Sequence, residues 1–264
     1  MSNEEIANPG SALGEAVGAV IERRLNNILK PIAEECGCIY ISTGPKNLKT
    51  GEPTKLLLRD NAGNKFNIDA VIATKDLKPL VLIESKYIRY KKHNRDKASW
   101  VCTAHYSLRR KFSSIRKSIA VLAGSWSKTS KYLLKSWDID LFEISFADVV
   151  SVLRARGIEY DWKEKEKERA ATAWRIWSSL GEEEREKIGL ELLQPIEQSL
   201  RNSLRAAIST AVPREIKEIE ILTKTNLGEM KVHIFKTLAE AQQFLNSLTI
   251  ERLLDHSDSP TILE

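Results

Sequence analysis

Two acidic residues and a lysine carry most of the chemistry legible in this chain. Asp69 lies in the apolar segment Asn67-Ile68-Asp69-Ala70-Val71-Ile72, and Glu84 and Lys86 close the run Leu80-Val81-Leu82-Ile83-Glu84-Ser85-Lys86. Side chains alternate between faces along a strand, so Glu84 and Lys86 share a side with Leu82, opposite Val81, Ile83 and Ser85. The link Thr74-Lys75-Asp76-Leu77-Lys78-Pro79 is short enough to make the two segments a hairpin, with Asp69 inside one strand and near Glu84 in the other. Carboxylates gathered beside an apolar sheet lose hydration and need compensation. A divalent cation supplies it. Magnesium takes one or two carboxylates and fills its octahedral shell with water or phosphate oxygens, so Asp69 and Glu84 are the expected metal ligands. Lys86 is expected to stabilise charge or orient an attacking water.

The spacing alone is common: Glu215-Ile216-Lys217 and Glu229-Met230-Lys231 have the same Glu-x-Lys form. Context separates Glu84 from these. An apolar run leads into it, an aspartate sits in the preceding segment, and a basic stretch follows. From Ser85 to Trp137 there are fourteen lysines and arginines against Asp96 alone, a local charge of +13 in a chain whose total is +5. The remainder is therefore acidic, and a field this local favours a polyanion over general stickiness. Aromatic and polar residues are interleaved there. Arg89, Lys91, Lys92, Arg95, Arg109 and Arg110 are the expected phosphate contacts, with His93 and Asn94 for closer contact.

Asp69 with Glu84-Ser85-Lys86 resembles the active-site signature of the PD-(D/E)XK nuclease superfamily, although Ile68 stands where the family name has proline. The resemblance implies Mg2+, one or two ions with Mn2+ able to substitute, bound by the acidic residues, and a lysine assisting phosphodiester hydrolysis. In many members a glutamate of the first helix joins the site. Glu15 and Glu22 both offer this, and Glu22 is favoured because Gly18-x-x-x-Glu22 is similar to that helix in related nucleases. The implied activity is double-stranded DNA cleavage, as a type II restriction enzyme acting as a homodimer beside a methyltransferase of the same site. A Holliday-junction resolvase or repair nuclease would share the chemistry, and a non-catalytic DNA-binding protein would share the basic patch.

The elements needed to position these residues follow from periodicity. Ser11 to about Glu35 reads as an amphipathic helix, Cys38–Ser42 and Lys55–Arg59 as strands, and Asp60–Asn64 as a turn into the strand of Asp69. After Glu84 come a helix from Thr103, a strand Ser118–Ala123, a helix Ser127–Trp137, a strand Asp140–Ile144 and a helix Ala147–Arg156. The fold class expected is α/β, a restriction-endonuclease-like core with a mixed sheet flanked by helices over 1–157. An extension, 158–264, would be mainly helical with a β-hairpin around Asn226-Leu227-Gly228. It would hold helices Ala170–Trp177 and Glu182–Thr210, a capping box Ser179-x-x-Glu182, a kink or break at Pro195 and a last helix Leu238–Leu248, ahead of a frayed tail from Asp255. This extension is left open to DNA recognition, dimerisation or covering the core. No apolar run approaches the roughly 18 residues of a membrane helix, so no membrane partner is expected. The acidic start Met1-Ser2-Asn3-Glu4-Glu5 is unlike a secretory signal, which leads to the cytoplasm of a prokaryotic cell. Cys36, Cys38 and Cys102 are expected as reduced, buried thiols, because the Cys-x-Cys pair has no second pair to complete a zinc site.

Overall fold

The computed structural model describes residues 8–255 except 48, 91, 93, 164, 210 and 212. The chain forms two compact units, Met1–Ser209 and Thr210–Glu264. The first holds a five-stranded mixed sheet in the order β1-β4-β5-β6-β7, built from β1 (Ile39–Ile41), β4 (Ala70–Ala73), β5 (Pro79–Ile88), β6 (Lys117–Gly124) and β7 (Ile139–Ser145). β1, β4 and β5 run antiparallel in sequence along the sheet, whereas β5, β6 and β7 are parallel neighbours. The two short strands β2 (Leu57–Arg59) and β3 (Lys65–Asn67) pair only with each other.

The period-2 pattern of β5 and β6 divides the core. Val81, Ile83, Ile119, Val121 and Ala123 face one helical layer, and Leu82, Ala120 and Leu122 the other. The first layer contains α1 (Pro9–Glu35), α4 (Phe146–Arg154), α5 (Lys167–Ser179) and α6 (Glu182–Ile208). The second contains α2 (Asn94–Lys111) and α3 (Lys128–Ser136). α1 starts where Asn8 caps it, its side chain accepting a hydrogen bond from the Ser11 amide at 3.1 Å, with Pro9 at the first helical position. Its stripe Leu13, Val17, Val20, Ile21, Leu25, Ile28 and Leu29 is buried. β6 ends at Gly124, whose φ of +93° and whose approach to the Ile88 carbonyl, 2.1 Å from where a Cβ would stand, exclude any other residue.

Several sequence expectations change here. α5 and α6 pack on α1 inside the first unit, so the boundary between compact units falls at Ser209/Thr210 and not at 157. Trp177 is buried in that core and Trp174 packs against it. Gly181, not Ser179, stands at the N-cap of α6 without a side-chain bond, so the capping box does not form. α6 also runs on through Pro195 without a break. α2 begins nine residues before the expected Thr103, because its inner stripe Ala98, Val101, Cys102, His105 and Leu108 starts there under a mostly polar surface. Of the three free cysteines only Cys102 is buried, whereas Cys36 is exposed just beyond α1.

The second unit is a hairpin of β8 (Ile219–Lys224) and β9 (Met230–Phe235) with α7 (Leu238–Asn246) and the short α8 (Ile250–Leu254). Phe244 of α7 meets His233 and Phe235 at 4.4 and 5.0 Å between ring centroids. The hairpin stands where the alternating pattern and the Asn226-Leu227-Gly228 turn put it, with Gly228 at φ +90°. The tail beyond Asp255 lies outside the described residues. No helix among the described residues is long and apolar enough to cross a membrane.

Candidate active site

Asp69, Glu84 and Lys86 converge where the β4–β5 hairpin opens. Ala70 pairs with Ile83, so Asp69 stands one step beyond the last paired residue of β4. It occupies a bend between β3 and β4 rather than the interior of a strand, which corrects the sequence reading and explains how its side chain escapes the pleat. Its Oδ2 accepts hydrogen bonds from the Ser85 amide at 2.8 Å and from Lys86 Nζ at 2.7 Å. Lys86 also ion-pairs with Glu84, so one ammonium bridges two carboxylates.

The electrostatics follow from burial. Asp69 is pushed up to about 6, first by desolvation and then by the charge of Glu84, with Lys86 opposing both. Burial alone would lower Lys86, but the two carboxylates outweigh it and hold the ammonium above its ordinary value. Glu84 is fully buried, and apart from its ion pair with Lys86 its two oxygens accept no hydrogen bond among the described residues. Glu22 of α1 lines the same cavity and is raised by desolvation and by the charge of Asp69. Glu15 instead lines a neighbouring cavity, so of the two candidates the fold brings Glu22 toward Asp69.

The cavity measures about 500 Å³ and is completed by Lys55, Asn67, Lys97 and Trp100. The Lys86 ammonium stands 5.6 Å from the Trp100 ring centroid. Beneath it lies His105, 1 % exposed, whose Nε2 is 3.9 Å from a Glu84 oxygen and whose two ring nitrogens lack a hydrogen-bond partner among the described residues. Burial, then the charges of Lys86 and Arg109, drive its pKa down to about 3, so the ring is neutral at ordinary pH. A helix expected only from Thr103 leaves out Lys97 and Trp100, whereas α2 begun at Asn94 brings both to the cavity and buries His105 with Val101 and Leu108.

A metal can be tested against these donors. Glu84 and Asp69 are hard oxygen donors, and Glu84 keeps unspent acceptor capacity beside its ion pair with Lys86. Among the described residues no group of three or more His, Cys, Asp or Glu is poised to form a complete shell. Two carboxylates with water and phosphate oxygens completing the shell is the arrangement magnesium prefers, so the residues fit that ion.

The basic segment is more selective than its charge suggests. Arg89 is buried, with Nη2 donating to the Tyr160 and Trp162 carbonyls at 3.0 and 2.9 Å and its guanidinium 3.7 Å from the Trp162 ring centroid. Asn94 is buried too, donating to the Ser125 carbonyl and accepting from the Ser127 amide. Both are therefore removed from the expected set of DNA contacts: they fasten loops to the sheet. Arg109 pairs with Asp138 at 3.2 Å, and Arg110 donates to the Tyr106 hydroxyl at 3.1 Å. Arg95 stands exposed in the first turn of α2 and Lys92 just before it, while Lys91 and His93 lie outside the described residues.

Comparison with known proteins adds little to this geometry. No family model matches the chain, and no curated protein does. Among solved structures, the crystal structure of a protein of unknown function, AF1548, aligns with a TM-score of 0.32 and 14 % identity, over 72 % of this chain and 98 % of that one. A likeness at that level carries neither fold nor function.

Proposed function

We propose that this protein is a magnesium-dependent DNA endonuclease of the PD-(D/E)XK superfamily, with its restriction-endonuclease-like core in the first unit. The observation that carries the reading is the bridging of Asp69 and Glu84 by Lys86 at the open end of a β-hairpin, where Asp69 and Lys86 line a cavity with Lys55 and Lys97. Magnesium held by Asp69 and Glu84 would lower the pKa of a bound water and neutralise charge on the phosphate. The protein's own groups divide the remaining work. Glu84, buried and ion-paired with Lys86, would offer its oxygens to the cation. Asp69 is held in place by the Ser85 amide. Lys86, kept protonated by its two carboxylates, is suited to stabilise a phosphate oxygen rather than to remove a proton. Glu22 lies close enough to Asp69 to adjust the charge of the site or to orient water. Lys92 and Arg95 are suited to backbone phosphates.

Sequence-specific cleavage of double-stranded DNA by a homodimer, as in a type II restriction enzyme with a partner methyltransferase in a prokaryotic cytoplasm, is the narrower form of this reading. One site cuts one strand, so a duplex cutter needs two copies. A nuclease for branched or damaged DNA is the second form, and a cavity adjoining the site favours it. Lys86→Ala and Asp69→Asn test the common chemistry: both should abolish cleavage while leaving DNA affinity within a few-fold, and full cleavage by both variants would refute the assignment.

A further inference from the structure

A second cavity shares Lys97 with the first. On α1, Glu22 lines the first and Gly18, one turn earlier, lines the second; on β5, Lys86 lines the first and Tyr87 the second. Lys97 borders both. The two form neighbouring compartments along α1 and β5, the second being the larger at about 680 Å³ against about 500 Å³.

The chemistry changes between them. The first compartment holds the carboxylates Glu22 and Asp69 beside Lys55, Lys86 and Lys97. The second is lined by cations and aromatic rings: Lys97 and Lys167 are exposed along it, and Arg89 and Trp162 form part of its wall. Glu15 is the acidic residue among its described lining. Arg89 has no carboxylate partner among the described residues, and its Nε and Nη1 are buried without an acceptor, so its charge is not cancelled locally. Tyr90 supplies a ring that is 36 % exposed, with the Arg89 guanidinium 5.0 Å from its centroid.

Cations beside an accessible ring suit one unit of a nucleic-acid strand, phosphate on the lysines and base on the aromatic. In an intact duplex the faces of a base are covered by its neighbours and its edge by its partner, so a concave compartment can take a base only when that base is unpaired. We propose that this second cavity binds an unpaired nucleotide of the strand whose scissile phosphate lies at Asp69. The substrate class is then DNA with unpaired nucleotides beside the cut, such as an overhang, a gap or a branch. This rests on the nuclease reading of the first cavity. Lys97 guides the backbone between the compartments, Lys167 holds the phosphate of the bound nucleotide and Tyr90 stacks on its base.

The test uses the full chain in EDTA, with fluorescence anisotropy on a blunt duplex and on the same duplex carrying a single-stranded overhang or a gap. The wild type should bind the overhang and gapped probes about ten-fold more tightly than the blunt one, the scale of one stacked base. Tyr90→Ala and Lys167→Glu should each reduce that preference while leaving affinity for the blunt duplex unchanged. 2-Aminopurine in the unpaired position should change its emission on binding wild type and not on binding Tyr90→Ala. Equal affinity for all probes, or a preference that survives both substitutions, overturns the proposal. Magnesium-dependent cleavage of blunt duplex without any such preference would overturn it and leave the nuclease reading standing, whereas neither binding nor cleavage of any probe would overturn both.

Discussion

Replacing Asp69 with asparagine should stabilise the metal-free protein while removing its activity. The folded protein binds the Asp69 proton more tightly than the unfolded chain does, since the carboxyl rises from 3.8 to about 6. For a carboxyl raised on folding, the stabilising contribution is complete below the unfolded value and is lost as pH rises through the folded one. A shift of about 2 pH units corresponds to roughly 3 kcal/mol of ionisation cost carried at pH 8. Asparagine is nearly isosteric, keeps an oxygen for the Ser85 amide and Lys86, and never ionises. Asp69→Asn should therefore be more stable than wild type by about 3 kcal/mol at pH 8, a rise of roughly 6–12 °C in Tm for a chain of this size class, and nearly equal to it at pH 4. His105 titrates with the opposite sign in an overlapping range, but it is common to both proteins and drops out of their difference. Thermal melts of both in EDTA at pH 4 and pH 8 decide the matter. Saturating magnesium should then raise the Tm of wild type more than that of the variant, because a ligand stabilises only the form it binds. A variant less stable than wild type at pH 8, or a difference independent of pH, would refute the claim that Asp69 is held ionised at a cost.

Other consequences can be measured separately. His105 contributes stability that is present above its unfolded value near 6.5 and is lost as pH falls toward about 3, so between pH 6.5 and 4 wild type should lose about 3 kcal/mol more than His105→Phe in urea melts; parallel curves would contradict its burial as a neutral ring. Gly124→Ala forces a Cβ against the Ile88 carbonyl at positive φ and should cost at least about 2 kcal/mol, read as a lower urea midpoint at unchanged slope. Lys92→Ala and Arg95→Ala should each weaken DNA binding and flatten the dependence of log Kd on log salt by about one unit, without changing the cleavage rate at saturation; an unchanged slope would take them off the phosphate backbone.

The sheet and its chemistry were legible where periodicity and charge agree. The apolar run before Glu84 could only be a buried strand, and its short link back to Asp69 made the hairpin, so the central cluster followed from local rules. The bend that frees Asp69 was not legible, because Ile68-Asp69-Ala70 carries no Gly or Pro and the break comes from β3 leaving to pair with β2. The early start of α2 was hidden under its polar surface, and with it Lys97 and Trp100. Arg89 and Asn94 look in sequence like members of a solvated basic run. Only the tertiary contacts to Tyr160, Trp162 and the loop after β6 show that they are buried fasteners. The packing of α5 and α6 on α1 was likewise a matter of which face meets which, illustrated by Gly189, where a Cβ would stand 2.9 Å from Val20 Cγ1.

The most direct test of the account is incubation of the purified protein with plasmid, gapped and branched DNA, in magnesium and in EDTA, beside Lys86→Ala. Strand breakage that requires magnesium and disappears in Lys86→Ala is the predicted result. No breakage of any of these DNAs in magnesium or manganese, or breakage that persists in Lys86→Ala, would contradict the assignment of Asp69, Glu84 and Lys86 as a nuclease centre.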